Sequence, residues 1–284
     1  MSEFEPIFVG GLFRSGTSLL RAMLGQHPNI AAGLETYWFD IDWADLAGEN
    51  SRERLRRLAV FYSRDLPELE QLAAQSPNVG AFLTELFDDY VRKQGKARWA
   101  EKTPGNIIHA HRLFQLWPNA KLIHVVRDPR DVFASHRQAK KWDDPAYFAD
   151  MWCKFFGAAE KAKQAPPWGK DQFLEIRYER LVTNPETVMR GIIDVIGEPW
   201  HPAAGRFEGK ADEFDIVLKV TGKASTTLDR LRRPIEQGRI GLWPQVLPAS
   251  ELEYVHARIA AAGLGDVYER VIAETPLSVH VAAQ

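Results

Sequence analysis

One cysteine, Cys153, occurs in 284 residues, so an intramolecular disulfide and a thiolate zinc site are both excluded. Charge of one sign is also missing. Lys plus Arg number 36 and Asp plus Glu 38, a net −2, which argues against a general nucleic-acid binder. No apolar run approaches the roughly 18 residues of a membrane span. No repeat recurs at roughly 20–50 residues, and no tract is of low complexity. The opening Met1 to Pro6 has neither the basic nor the apolar region of a signal peptide, so a cytoplasmic location is expected. Apolar surface, by contrast, is plentiful. With 45% hydrophobic residues the chain needs no metal or disulfide staple to build a core.

Apolar runs alternate with helical periodicity. Ile7-Phe8-Val9 reads as a strand closing on Gly10-Gly11, and a helix through Leu19, Leu20, Met23 and Leu24 follows, stopping near His27-Pro28. Strands are predicted at 30–34, 98–100, 121–126 and 172–177. Helices are predicted over most of 40–94, broken at Leu66-Pro67 and Ser76-Pro77, and at 105–116, 146–164, 185–196 and 251–269. Another helix opens at Asp128-Pro129, with Asp128 as N-cap. This alternation predicts one α/β domain over 1–284, with a central parallel sheet flanked by helices. The glycine-containing, charged stretch 201–248 reads as a lid.

Two segments carry chemistry. Gly11-Leu12-Phe13-Arg14-Ser15-Gly16-Thr17-Ser18 has the spacing of the G-x-x-x-x-G-K-[ST] phosphate loop, between strand and helix, with Thr17 in place of the lysine. Backbone N–H groups at a helix start favour an anion, and Arg14 adds a forked donor. Moving the cation from the lysine position to Arg14 disfavours ordinary Mg·ATP chemistry. The second segment, Arg127-Asp128-Pro129-Arg130-Asp131-Val132-Phe133-Ala134-Ser135, follows the strongest predicted strand. Arg127 stands where open α/β sheets bind ligands. From Arg127 to Lys141 five cations (Arg127, Arg130, Arg137, Lys140, Lys141) face two acids (Asp128, Asp131), which points to a bound anion or, more simply, a solvated helix face.

Together these segments resemble the sulfotransferases that use 3′-phosphoadenosine 5′-phosphosulfate (PAPS), above all the tyrosylprotein and carbohydrate branches. The stretch "VGGLFRSGTSLLRAMLGQHP" is similar to the family's 5′-phosphosulfate loop, and "RDPRDVFAS" to its 3′-phosphate element. The likeness runs over roughly 6–200, with an echo at 238–243. It implies a P-loop-like three-layer fold, PAPS as donor, the bisphosphate PAP as product and no metal. By that resemblance Arg14, Ser15, Gly16, Thr17 and Ser18 hold the 5′-phosphosulfate, and Arg127 and Ser135 the 3′-phosphate. In "IRYERLVTNPE" Tyr178 lies at the adenosine. "GRIGLW", from Gly238, resembles the late G-x-x-G-x-W loop; Glu236-Gln237 replace a basic pair, and Arg239 is the substitute cation.

The resemblance also names catalytic candidates beside Arg14. Glu35, in "AAGLETYW", corresponds to the tyrosylprotein branch's glutamate base; a carboxylate near about 4.3 is a weak base, so burial is expected to raise its pKa. Lys102, in "EKTPGN", corresponds to the lysine at the bridging oxygen. His109 and His111 fall on different helix faces, His124 and Cys153 read as core, His136 supports the 3′-phosphate element, and His27 ends a helix.

From Glu35 to Glu49 stand five acids (Glu35, Asp40, Asp42, Asp45, Glu49) and no Lys or Arg. If they border the acceptor, it is neutral or cationic: a carbohydrate, a lipid-linked sugar, or a small alcohol or phenol rather than an acidic tyrosyl peptide. The lid cations Lys219, Lys223, Arg230, Arg232, Arg233 and Arg239 are expected to order over nucleotide. Two other readings remain at this point: a P-loop phosphotransferase with a relocated cation, and a non-catalytic nucleotide sensor. No partner nucleic acid or membrane span is expected, and the oligomeric state is open.

Overall fold

The computed structural model describes residues 5–140, 143–164, 171–209, 218 and 229–273. Lys141, Lys219 and Lys223, counted above among the cations, lie outside them. Five strands, β1 (Ile7–Gly10), β2 (Ile30–Ala32), β3 (Arg98–Lys102), β4 (Lys121–Val126) and β5 (Phe173–Arg177), form a parallel sheet in the order β2-β3-β1-β4-β5. The predicted parallel α/β architecture is therefore the observed one.

Alternation along the strands divides the core in two. Phe8, Trp99, Leu122 and Val126 face one side, under α2 (Glu49–Phe61), α3 (Leu66–Gln75), α4 (Val79–Lys93), α5 (Ala110–Leu116), α6 (Pro129–Gln138), α7 (Pro145–Gln164), α10 (Ala249–Ala261) and α11 (Gly265–Ala273). Ile7, Val9, Ile123, Val125 and Ile176 face the other, against α1 (Thr17–Leu24), α8 (Tyr178–Thr183) and α9 (Pro185–Val195). Full burial of side chains such as Phe8 contributes about 1.5–3 kcal/mol each. Among the described residues no helix is long and apolar enough to cross a membrane.

The strand order reverses at β1: β3 lies on one side and β4 on the other. Ligands collect at such a switch point, beyond the carboxyl ends of the strands. Register brings Val9 opposite both Lys102 and Ile123, so the loop after β1, the end of β3 and the residue after β4 share one edge.

Some expected boundaries shift. The helix predicted at 105–116 is a 3₁₀ turn, Pro104–Ile107, followed by α5. The Asn106 side chain donates to Val9 O (3.0 Å) and to Glu101, which pulls the turn tight against the sheet. The helix predicted at 251–269 is two. Gly263, at φ 76°, reverses the chain while Leu264 N–H reaches Ile259 O (3.2 Å) and Gly263 N–H reaches Ala260 O (2.9 Å), a Schellman ending. The segment 41–48 is turns, because Asp42 and Asp45 accept from backbone Ala44 N (3.0 Å) and Gly48 N (2.9 Å). Within the stretch read as a lid, Pro202–Gly205 is a 3₁₀ turn, and residues between Arg230 and Arg239 line the cavity described below.

Candidate active site

β1 ends at Gly10, and the loop of 11–16 turns into α1. Gly11 donates to Pro104 O (3.0 Å) and Ser15 to Leu12 O (3.1 Å). Gly16, at φ 98°, occupies the left-handed region at the N-cap, and an added Cβ would lie 2.4 Å from Tyr178 Cδ2. Arg14 also has positive φ, 72°. That non-glycine strain is held by two contacts: Arg14 Nε donates to Ser135 Oγ (3.1 Å), and Arg127 donates to the Arg14 carbonyl (3.0 Å). The two segments singled out in the sequence thus meet directly.

Arg127 organises the rest. Its second terminal nitrogen donates to the Arg239 carbonyl (2.8 Å), and its guanidinium lies 4.4 Å over the Tyr178 ring. Arg127 Nε and one Arg239 terminal nitrogen are buried without a hydrogen-bond partner among the described residues. Arg230 joins them. Burial, followed by repulsion from Arg230, Arg239 and Arg127, lowers Arg14 to about 10. Burial and neighbouring arginines lower Arg230 and Arg239 as well. Four arginines crowded together repel one another, and a bound anion would relieve that repulsion.

These residues line a cavity of about 410 Å³. Its walls carry eight Lys/Arg (14, 21, 57, 102, 127, 230, 233, 239) against Glu35 and Glu236. A second group in its lining, Glu35, Tyr37, Arg57, Phe61 and Lys102, is tied together by its own contacts. Lys102, buried, makes an ion pair with Glu35 and donates to Ser18 Oγ (3.0 Å). Tyr37, itself at φ 50°, hydrogen-bonds Glu35 through its side chain.

The expected pKa direction at Glu35 is corrected. Burial pushes its carboxyl up, but the charge of Lys102 and the hydrogen bonds from Lys102 and Tyr37 outweigh it, and the group lies below the ordinary value. Tyr37 is pushed far up, by burial and then by the Glu35 charge.

Arg14, Gly16, Thr17, Ser18, Glu35, Lys102, Arg127, Ser135, Tyr178 and Arg239 all line this one cavity. Ser15 and Gly238 do not line it; Ser15 is buried. The local positive charge after β4 is largely spent elsewhere. Arg130 is bonded to Asp128 (2.6 Å) and stacks on Trp243, and Arg137 pairs with Asp143 (2.7 Å) and Glu251 (2.5 Å). The acid run does not border the cavity beyond Glu35, because Asp40 pairs with Arg54 (2.6 Å) while Asp42 and Asp45 close turns.

His136 Nε2 donates to Phe13 O (3.2 Å) beside the loop. His124 is buried with Nδ1 on Glu175 (3.1 Å), while Nε2 has no hydrogen-bond partner among the described residues. His109 stacks on Phe39 at 4.1 Å.

Sequence reasoning missed three groups. Arg230 was one lid cation among six. Arg57 had no motif. Asp131 was only an offsetting acid, yet it accepts from Gly241 N (2.8 Å) and Trp243 N (3.0 Å) and so holds the loop that carries Arg239.

The sequence pattern of the sulfotransferase family matches residues 6–202. A protein-tyrosine sulfotransferase of Drosophila melanogaster is 26% identical over 259 residues, covering 87% of this chain and 48% of its own length. The chain therefore spans about half of that relative. The sulfotransferase domain of the Synechococcus PCC 7002 olefin synthase superposes with a TM-score of 0.65 at 21% identity, covering 93% of this chain and 96% of that one. A mouse sulfotransferase, SULT7A1, crystallised with PAP, superposes with a TM-score of 0.51 at 14% identity, covering 95% of this chain and 89% of the other. These two likenesses establish the fold.

Proposed function

The chain belongs to the sulfotransferase family, and on that premise we propose that it transfers the sulfuryl group of PAPS to an acceptor hydroxyl. The observation that carries this reading is the meeting of Arg14, Ser135, Arg127 and Arg239 at one end of a cavity whose other end holds Glu35 and Lys102. One end suits two phosphate groups and the other a proton transfer.

In this reading Arg127, Ser135, Arg239 and Arg230 take the 3′-phosphate, and Tyr178 lies against the adenosine. The start of α1 with Thr17 and Ser18 takes the 5′-phosphosulfate. The acceptor oxygen attacks sulfur as its proton passes to Glu35; the S–O bond to the phosphate breaks, and PAP leaves with the electron pair. Lys102 and Arg14 stabilise the charge that develops on the leaving phosphate. Lys102 also explains how a carboxylate below its ordinary range serves as base. When the donor's oxygens draw the ammonium away, Glu35 keeps its burial and loses its counter-charge, and its basicity rises. No metal is part of the reading, since cationic side chains supply the positive charge.

The acceptor enters beside Tyr37, Arg57 and Phe61. No carboxylate among the described residues pairs with Arg57. We therefore place a phenol or alcohol with a negatively charged neighbour ahead of the neutral or cationic acceptors that the acid run suggested; the relatives named protein-tyrosine sulfotransferases support this order. The single-domain reading over 1–284, with the lid closing on nucleotide, belongs to the same proposal.

Calorimetric titration with adenosine 3′,5′-bisphosphate, beside Mg·ATP, tests it. Micromolar binding of the bisphosphate without metal, followed by transfer of label from PAPS to a phenol, is expected. Preference for Mg·ATP would return the phosphotransferase reading. Bisphosphate binding without turnover on any acceptor would favour a nucleotide sensor.

A further inference from the structure

The carboxylate of Glu101 is fully buried in β3, next to Lys102, and has no lysine or arginine partner among the described residues. Instead it collects four hydrogens. Oε1 accepts from Thr36 N (3.1 Å), Thr36 Oγ1 (2.9 Å) and Thr103 Oγ1 (2.6 Å); Oε2 accepts from Asn106 Nδ2 (2.6 Å). Thr36 follows Glu35 and Thr103 follows Lys102. Thr103 Oγ1 in turn accepts from Tyr37 N (3.2 Å), the residue whose side chain touches Glu35.

We propose that Glu101 is a positioning residue, which through Thr36, Thr103 and Asn106 fixes the loop bearing Glu35 and Tyr37 against the strand bearing Lys102. The inference rests on the reading of Glu35 and Lys102 as the acceptor end of the site. It adds a residue that touches neither donor nor acceptor.

The network is directional. Each threonine hydroxyl has one proton and gives it to Glu101; each then accepts a backbone N–H, from Trp38 (3.3 Å) at Thr36 and from Tyr37 at Thr103. Asn106 cannot reverse its amide, because Oδ1 accepts from Trp38 Nε1 (2.9 Å) and Nδ2 also donates to Val9 O. An acceptor-only group is required at the centre. The Glu101→Gln amide would set a donor against Asn106 Nδ2 in one orientation and against Thr36 N in the other. Burial pushes the Glu101 carboxyl up, and the hydrogen bonds from Asn106, Thr103 and Thr36 work against that by favouring the ionised form. The groups that face Glu35 directly, Lys102, Tyr37 and Arg21, stay in the sequence when Glu101 is changed but lose their common frame.

The test compares the wild type with Glu101→Gln, Thr36→Val and Thr36→Ser. Thr36→Val deletes the hydroxyl's hydrogen bonds to Glu101 and from Trp38 N at nearly constant volume, and guards against a Glu101→Gln protein that does not fold. Three readouts are made: PAP affinity, kcat with PAPS and a phenol, and the Glu35 pKa from its carboxyl ¹³C signal, assigned by its loss in Glu35→Gln. The expected result for Glu101→Gln is a fall in kcat of about 10–100-fold, the size usual for groups that orient reacting residues. Thr36→Val is expected to lose less, and Thr36→Ser to stay near wild type. PAP affinity stays within about twofold, because the arginine end is untouched. As Glu35 drifts from Lys102 its pKa rises in both damaging variants and not in Thr36→Ser.

An unchanged kcat and an unchanged Glu35 pKa in folded Thr36→Val and Glu101→Gln would overturn the proposal. If the wild type moves no sulfuryl group, the proposed function fails on its own, while the Glu35 signal still decides whether Glu101 positions it.

Discussion

Lys102 joins two elements by one ammonium group: it pairs with the Glu35 carboxylate that follows β2 and donates to Ser18 Oγ in the first turn of α1. Glu35 and the start of α1, the groups proposed to take the proton and the phosphosulfate, are therefore linked before any ligand arrives. A lysine so placed has to divide its attention between Glu35 and an incoming phosphosulfate. Its movement from one to the other would convert a paired carboxylate into a stronger base.

Replacing Glu35 tests this division. Glu35→Ala is expected to lower kcat by about 10²–10⁴-fold, the usual worth of a positioned acid or base, with PAP affinity kept. The pH dependence has a definite sign. Lys102 holds the Glu35 pKa below the ordinary value, so the ion pair contributes stability above the unfolded value of about 4.3 and loses it as pH falls through the lower folded value. The acid limb of kcat/KM in the unliganded protein should therefore lie below that of a normal glutamate. A limb near neutral pH would mean that another group is the base.

The arginine cluster predicts a different signature. Arg230→Ala removes one cation from a site where burial and like charges already lower its neighbours. PAP affinity should fall about 10–100-fold, the equivalent of one charge-assisted hydrogen bond of roughly 1.5–3 kcal/mol. The melting temperature without ligand should hold or rise, because repulsion is relieved. Unchanged affinity in Arg230→Ala, read by calorimetry, would remove it from the site.

Asp131 acts one step back from the anion. Its carboxylate caps Gly241 N and Trp243 N, while Arg127 holds the Arg239 carbonyl from the same helix region. Asp131→Ala should free the loop and reduce PAP affinity about tenfold, one charged hydrogen bond's worth. Faster amide exchange at Gly241 and Trp243 is the direct check. Exchange at the wild-type rate would mean that other contacts fix this loop.

Gly16 offers a steric test. At φ 98°, with Tyr178 Cδ2 2.4 Å from a would-be Cβ, Gly16→Ala meets both backbone strain of about 1–2 kcal/mol and a ring that must move. Loss of PAP binding with a lowered melting temperature is expected. An alanine protein that binds PAP normally would show that Tyr178 need not hold its observed place.

The sequence made the sheet and both anion segments legible because each rests on local rules. The run Lys121–Val126 is a strand by composition, Asp128-Pro129 a helix start by capping, and Gly11 to Ser18 a loop between strand and helix by its glycine spacing. Relations set across the fold were not legible. The pKa direction at Glu35 depends on Lys102, 67 positions away, and no local pattern reports that distance. The acid run misled for a related reason: five like charges suggest a wall, but Asp42 and Asp45 are bound to their own backbone turns. Arg57 left no trace, because its importance lies in a helix face turned toward the cavity and not in a motif.

Under the proposed function, Arg57 is expected to set what the acceptor side of the cavity prefers. It lines the cavity beside Tyr37 and Phe61, its guanidinium 5.7 Å from the Phe61 ring, whereas Arg54 is already paired with Asp40. A half-buried cation with no carboxylate partner among the described residues would attract an anionic group on the acceptor, and close charge complementarity chiefly sets specificity. Arg57→Glu should raise KM for a phenol bearing a carboxylate about tenfold or more, and should leave KM for an uncharged phenol nearly constant. Changing Asp42 and Asp45 to lysine should leave both values nearly unchanged, since those side chains point into turns away from the cavity. The opposite pattern, with Arg57→Glu silent and the lysine pair shifting preference, would return the acceptor to the neutral or cationic class that the acid run suggests.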